Sequence, residues 1–91
     1  SCCTEKYMKN IIMYSSSYCP FCTNAERLLE EKGFDITQKI LIDEDPNELE
    51  KMMKLTGKRT VPQIFIDNTY IGGFDELRAC DLSGELDKLL K

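Results

Sequence analysis

Cys19-Pro20-Phe21-Cys22 stands between an apolar, β-prone run and an amphipathic helical one, and this placement constrains the fold more than any other feature of the 91-residue chain. Asn10–Ser15 (NIIMYS) reads as a buried strand, and Ser16–Tyr18 reads as a turn. From Pro20 to Lys32 the residues Cys22, Ala25, Leu28 and Leu29 recur at helical spacing, and Gly33 is placed to stop the helix. Pro20 suits the first helical position, where its missing N–H has no partner to lose. Cys19 therefore falls at the N-cap, directly after a strand.

Three readings of the pair compete at this point. As a structural staple it closes a loop so short that the gain is only about 2 kcal/mol by the chain-entropy model. As half a zinc site it needs two more ligands, and the vicinal Cys2-Cys3 is not the second C-x-x-C of a ribbon. As a redox pair it needs only the position just described. The chain has five cysteines and no histidine. The lack of histidine excludes Ser-His-Asp and Cys-His catalysis and every imidazole-bound zinc. The five cysteines, at positions 2, 3, 19, 22 and 80, are odd in number and irregular in spacing, which suits a reducing, cytoplasmic compartment better than a disulfide framework. With 42% apolar and 31% charged residues, the chain has an ordinary globular balance. Its 12 basic against 16 acidic residues leave a net charge of −4 without a basic run, so no nucleic-acid partner is expected. Ile11–Tyr14 and Ile64–Ile66 are far too short to span a bilayer, and SCCTEKYMKN has no apolar stretch of a secretory signal.

Further along, Phe34–Ile42 predicts a second strand. Asp45-Pro46 starts a helix whose inner face is Leu49, Met52, Met53 and Leu55 and whose stop is Gly57. Gln63–Asp67 and Thr69–Ile71 flank Asn68 as a hairpin. Gly72-Gly73 breaks the last strand, and Asp75 is placed to cap a final helix with Leu77, Leu82, Leu86 and Leu90 inward and Gly84 as a local weakness. A right-handed β-α-β crossover makes the first two strands parallel, the hairpin adds two antiparallel ones, and helices cover both faces. The expected class is α/β, with residues 1–9 as an appended tail and residues 10–91 as one domain.

A thiol at a helix N-cap faces the free N–H groups of the first turn, here those of Phe21 and Cys22. It also meets roughly half a positive charge from the helix dipole. Both favour thiolate, so Cys19 is expected to titrate below a free cysteine and to attack. Cys22, buried one turn on, is expected to resolve. Thr60-Val61-Pro62, just before the third strand, is a weak signal alone and a stronger one beside a C-x-x-C at the end of the first strand.

C-P-F-C at Cys19–Cys22, T-V-P at Thr60–Pro62 and I-G-G-x-D at Ile71–Asp75, in this order and spacing, resemble a dithiol glutaredoxin of the thioredoxin superfamily. The resemblance runs from about Asn10 to Lys91. It implies a thioredoxin-like fold, with a four-stranded mixed sheet flanked by three main helices and a cis bond before Pro62. It implies a glutathione-dependent oxidoreductase that reduces protein–glutathione mixed disulfides and protein disulfides through Cys19 and Cys22. The glutathione site it implies comprises Cys19, Phe21, Lys58, Arg59, Thr60, Val61, Pro62, Gly73, Phe74 and Asp75. In it the Val61 backbone pairs with the cysteinyl residue, the Phe74 and Asp75 N–H groups take the γ-glutamyl carboxylate, and the Asp75 carboxylate meets the γ-glutamyl ammonium. Lys58 and Arg59 are the candidates for the glycyl carboxylate. Glutathione is then a co-substrate, no cofactor or metal is permanently bound, and the partners are glutathionylated or disulfide-bonded proteins met by a monomer.

Two positions depart from the family pattern. Ser16 stands where many relatives carry lysine, and Phe21 where tyrosine is frequent. Cys80 is expected on the inner side of the last helix as a small buried hydrophobe. Two other functions compete with the reductase. In one, Cys19 and glutathione from two subunits hold a bridging iron–sulfur cluster, against which Pro20 argues by stiffening the loop. In the other, a flavoenzyme reduces a thioredoxin-like protein, for which C-G-P-C is expected in place of C-P-F-C.

Overall fold

The structure is a computed structural model that describes residues 10–90. Cys2, Cys3 and the rest of the predicted tail over residues 1–9 lie outside the described residues, as does Lys91. Strand β1 (Ile11–Ser15) leads into helix α1 (Pro20–Glu31), and β2 (Gln38–Leu41) leads into α2 (Pro46–Thr56). The hairpin of β3 (Gln63–Ile66) and β4 (Thr69–Gly72) follows, then α3 (Phe74–Ser83) and α4 (Glu85–Leu90). The strands lie side by side in the order β2-β1-β3-β4. β1 runs parallel to β2, with Ile12 opposite Gln38, and antiparallel to β3, with Met13 opposite Ile64. β4 closes the sheet antiparallel to β3, with Tyr70 opposite Phe65. This is the four-stranded mixed sheet that the resemblance implies.

The two-residue period of the strands divides the sheet into unlike faces. Ile11, Met13, Ile64 and Ile66 point to one side and pack into a single core with Cys22, Ala25 and Leu29 of α1 and Leu77, Leu86 and Leu90 of α3 and α4. On the other side Tyr14 meets Phe65 edge-on, with ring centroids 6.2 Å apart. Lys51 and Leu55 of α2 share a cavity wall with Ile12, Tyr14 and Phe65. Lys32, just past α1, bonds Asp81 at 2.7 Å and Asp87 at 3.2 Å and so ties the end of α1 to α3 and α4. The bond to Asp81, followed by that to Asp87, raises the Lys32 pKa above the ordinary lysine value.

Several elements depart from the pattern read from the sequence. The expected strand Phe34–Ile42 shortens to Gln38–Leu41. Phe34 and Ile36 instead pack against the core, and Thr37 anchors the segment by exchanging bonds with Ile11 through its N–H and hydroxyl. On α2 the inward stripe is Leu49, Met52 and Thr56, at helical spacing, while Met53 and Leu55 are exposed. The expected final helix is two helices, because Gly84 takes a left-handed conformation at φ 87° and ends α3. Leu82, five residues and so about 140° round α3 from Leu77, faces out at 77% exposure, while Leu77, Leu86 and Leu90 are buried. Asp75 is not the cap of α3. Gly73 holds that position, and its N–H donates to Glu76 Oε1 at 2.7 Å.

The two leucines of α3 offer a direct test of this packing. Leu77 is fully buried in the core, so Leu77→Ala is expected to cost about 2–5 kcal/mol through lost burial and a residual cavity. Leu82→Ala is expected to change stability by less than about 0.5 kcal/mol, as at other exposed sites. Urea unfolding followed by circular dichroism measures both, and equal losses would contradict the outward placement of Leu82.

Candidate active site

The site begins where β1 ends. Ser15 is fully buried, and beyond it the chain turns through Ser16–Tyr18, with the Ser17 N–H donating to Asp43 Oδ1 at 3.1 Å. Hydrogen bonding from Ser17 holds the Asp43 carboxyl below the ordinary carboxylate value. The turn delivers Cys19 in extended conformation (φ −150°, ψ 97°) to the N-cap of α1, with Pro20 next. The Cys19 sulfur accepts the Cys22 N–H at 3.1 Å, and the Thr23 N–H donates to the Cys19 carbonyl at 3.2 Å. A side-chain acceptor of this kind satisfies one of the donors that every helix start leaves open.

Cys19 and Cys22 are joined as a disulfide, with their Cα atoms 5.2 Å apart. The two sulfurs nevertheless have different surroundings. Cys22 is 2% exposed and belongs to the core, whereas Cys19 is half-buried at the mouth of the site. Opposite Cys19 stands the loop before β3, where the Val61 carbonyl oxygen lies 3.9 Å from the Cys19 sulfur. The Val61–Pro62 bond is cis.

Beside this pair opens a cavity of about 260 Å³. One wall is Lys58, Thr60, Val61, Pro62 and Gln63, and the facing wall is Gly73, Phe74, Asp75 and Glu76. Phe21 lies across its edge, 59% exposed and 6.3 Å from the Phe74 ring. The two walls approach closely because Gly73 has no side chain. A Cβ there would stand 3.2 Å from the Pro62 carbonyl oxygen and 3.2 Å from Glu76 Oε1. The start of α3 can therefore lie against Pro62 and open its first N–H groups toward the cavity. α1 begins at the same site, so the positive ends of two helix dipoles converge on one small volume.

Of the residues expected here, Phe21, Lys58, Thr60, Val61, Pro62, Gly73, Phe74 and Asp75 line the cavity, with Cys19 at its rim. Arg59 does not line it, although its neighbours Lys58 and Thr60 both do. Ser16 is likewise elsewhere, its hydroxyl donating to the Tyr18 carbonyl at 3.2 Å. Gln63 and Glu76 line the cavity unanticipated. Gln63 reads in sequence as the polar start of a strand. Glu76 carries the weak signal of an acidic residue in a first turn, without the Ser or Thr of a capping box ahead of it. Cys80 is half-buried on α3, apart from the cavity, and burial raises its pKa, with smaller contributions from Glu85 and Asp81.

Comparison with known proteins agrees with this geometry. The glutaredoxin family model matches residues 11–71. Glutaredoxin 3 of Escherichia coli strain K12 is 46% identical over 84 residues, covering 92% of this chain and 100% of that protein. Glutaredoxin of Neisseria meningitidis serogroup A is 42% identical over 83 residues, covering 91% and 98%. Among solved structures, the dithiolic glutaredoxin 2-C-Grx1 of Trypanosoma brucei brucei superposes with a TM-score of 0.81 at 32% identity, covering 100% of this chain and 96% of that one. The buckwheat glutaredoxin–glutathione complex superposes with a TM-score of 0.82 at 27% identity, covering 93% and 79%. A cysteine pair at the start of α1, a Val61–Pro62 loop facing it and relatives of this closeness lead to one conclusion: the chain belongs to the glutaredoxin family.

Proposed function

We propose that this protein is a glutathione-dependent thiol–disulfide oxidoreductase acting through Cys19 and Cys22. The observation that carries this reading is the contrast between the two sulfurs: Cys19 is accessible at a helix N-terminus, and Cys22 is buried in the first turn behind it. In the reduced protein the Cys22 N–H and the α1 dipole stabilise a thiolate at Cys19, and nothing comparable acts on Cys22. The Cys19 thiolate attacks the glutathionyl sulfur of a protein–glutathione mixed disulfide. A Cys19–glutathione disulfide forms, and the protein thiolate leaves and takes up a proton. The thiolate of a second glutathione then attacks the glutathionyl sulfur, which releases oxidised glutathione and regenerates the Cys19 thiolate. With a protein disulfide, Cys19 forms a mixed disulfide with the substrate and Cys22 displaces it. The resulting Cys19–Cys22 disulfide is the state seen here, and two molecules of glutathione reduce it.

The cavity walls suit the tripeptide. The backbone of Val61, after Thr60 and before Pro62, offers an edge to the cysteinyl residue in the manner of strand addition. The N–H groups of Phe74 and Asp75, following Gly73, form an anion site for the γ-glutamyl carboxylate, and the Asp75 carboxylate takes the γ-glutamyl ammonium. Lys58 faces the glycyl carboxylate, and Phe21 packs along the glutathionyl group. Arg59, outside the cavity lining, has no part in this reading. Glutathione is a co-substrate, with no permanently bound cofactor. The protein works as a monomer on glutathionylated or disulfide-bonded proteins in the cytoplasm, where glutathione keeps thiols reduced. Residues 10–91 form the catalytic domain and residues 1–9 an appendage to it.

Alkylation tests the contrast between the sulfurs. Iodoacetamide near neutral pH should label Cys19 of the reduced protein at least about tenfold faster than Cys22, as its helix position implies. Cys80 should also lag, its pKa being raised by burial. Sites are mapped by mass spectrometry so that Cys2 and Cys3 do not obscure the result, and equal rates at Cys19 and Cys22 would contradict the role of the helix. The mechanism is tested by one coupled assay with glutathione and its reductase on wild type and two variants. Cys22→Ser should keep substantial activity on a glutathionylated protein and lose the dithiol route on protein disulfides, whereas Cys19→Ser should lose both. If Cys22→Ser is as inactive as Cys19→Ser on the glutathionylated protein, the second glutathione does not resolve the intermediate and the monothiol mechanism is wrong.

A further inference from the structure

Gln63 is a buried polar side chain, 2% exposed, at the base of the cavity wall facing Cys19. Its amide is engaged on both sides. Nε2 donates to the Thr60 carbonyl at 2.9 Å and to the Thr60 hydroxyl at 3.3 Å, folding back over the Val61–Pro62 bond. Oε1 accepts the Tyr70 hydroxyl at 2.5 Å from the neighbouring strand. The amide orientation is forced, because a backbone carbonyl can only accept and must therefore face the NH₂ group. Tyr70 is in turn held by its ring, 5.1 Å from that of Phe65, which meets Tyr14 across the same face of the sheet.

The loop that this amide grips packs Val61 against the core and buries Pro62, but has little other polar anchorage. Among the described residues, Thr60 and Val61 make no backbone–backbone hydrogen bond, and Gln63 is the only polar partner of Thr60. Yet Val61 is the residue whose backbone lies 3.9 Å from the Cys19 sulfur. A segment that must offer its edge to a ligand cannot spend that edge on its own chain. Its position has to be set from behind, and Gln63 is placed to do that.

We propose that Gln63 is a positioning residue for the glutathionyl group: clamped by Tyr70, its amide holds Thr60, and through it the Val61 backbone, in register with Cys19. The proposal rests on the reading above, in which the Thr60–Pro62 backbone receives glutathione. Gln63 does not touch the reacting sulfur, so its loss should weaken glutathionyl binding without changing the Cys19 thiolate. Gln63→Met keeps the length and bulk of the side chain and removes every bond of the amide. Tyr70→Phe removes only the clamp.

Steady-state kinetics on a glutathionylated peptide, in the coupled assay, supply the test. Gln63→Met is expected to raise KM about tenfold while kcat stays within about twofold, the signature of lost uniform binding. Tenfold corresponds to about 1.4 kcal/mol, the scale of one or two net hydrogen bonds. Tyr70→Phe is expected to raise KM about threefold, and the double variant should be no worse than Gln63→Met, because Tyr70 acts through the same amide. The pH midpoint of Cys19 alkylation should be the same in all four proteins. A lowered melting temperature with unmoved KM would make Gln63 a purely structural residue and overturn the proposal, as would additive effects in the double variant. Should Gln63→Met fail to fold, Tyr70→Phe decides alone, since an unchanged KM there removes the clamp. An inactive wild type would sink the glutathione-dependent function itself, whereas an active wild type with unmoved KM in both variants sinks only the role of Gln63.

Discussion

The bond from the Cys22 N–H to the Cys19 sulfur, 3.1 Å long, fixes the reactive atom to the start of α1, and the rest of the site is arranged around that point. It makes Cys19, the proposed nucleophile, its own helix cap. A serine or aspartate would fill the N-cap with an oxygen acceptor and gain about 1 kcal/mol of helix stability. A cysteine accepts less well as a neutral thiol and much better as a thiolate. Helix formation and thiolate formation therefore favour one another at this position. The same bond places Cys22 on the inner side of the first turn, where the core covers it. The unequal reactivity proposed for the two sulfurs follows from their places on one helix, with no further basic side chain required.

The facing walls of the cavity are held by different means. On the α3 side the constraint is steric: Gly73 leaves room for the Pro62 carbonyl, and Glu76 secures the turn by accepting the Gly73 N–H. On the Val61 side it is polar, supplied by the Gln63 amide from behind the loop. The two faces of the sheet contribute separately. Ile64 and Ile66 anchor β3 in the main core, while Gln63 and Phe65 alternate to the side where Tyr14 and Tyr70 lie. One strand thus carries both the packing that fixes the hairpin and the network that fixes the loop before it.

The parts of this arrangement that were legible in the sequence are those set by short-range rules. Pro20 after Cys19, Asp45 before Pro46 and Gly57 after Thr56 act within a turn of themselves, and the helix starts and stops they predict are found. The parts that were not legible depend on residues distant in the chain. Phe34–Thr37 has the composition of a strand, but the Thr37 side chain takes the Ile11 N–H and the ladder begins only afterwards. In an unbroken helix Leu82 would share a stripe with Leu86 and Leu90 at i, i+4 spacing, but the left-handed Gly84 ends α3, on which Leu82 lies on the side away from the buried Leu77. Neither Lys58 nor Arg59 is singled out by spacing, since both sit in a loop with no period. The function of Gln63 requires Tyr70, seven residues on and across a hairpin, so no local pattern could announce it.

The absence of the family's frequent lysine at Ser16 alters the electrostatic balance of the site. In a chain of net charge −4, the cavity is lined by one cation, Lys58, and by the carboxylates of Asp75 and Glu76. Side-chain charge alone would repel an anionic tripeptide. Glu76 is committed to the Gly73 N–H, which spreads its charge over the start of α3, and the open N–H groups of α1 and α3 supply the positive potential that the side chains lack. These backbone donors are fixed in place and lose no rotamer entropy when a ligand arrives, unlike a long lysine that must be ordered. They also fall off within a turn, so they act on groups seated in the cavity and hardly at all on approaching ones. Selection of the proposed anionic tripeptide would therefore depend on its fitting between Val61 and Phe74, and much less on long-range attraction, which in so acidic a chain would favour cationic partners.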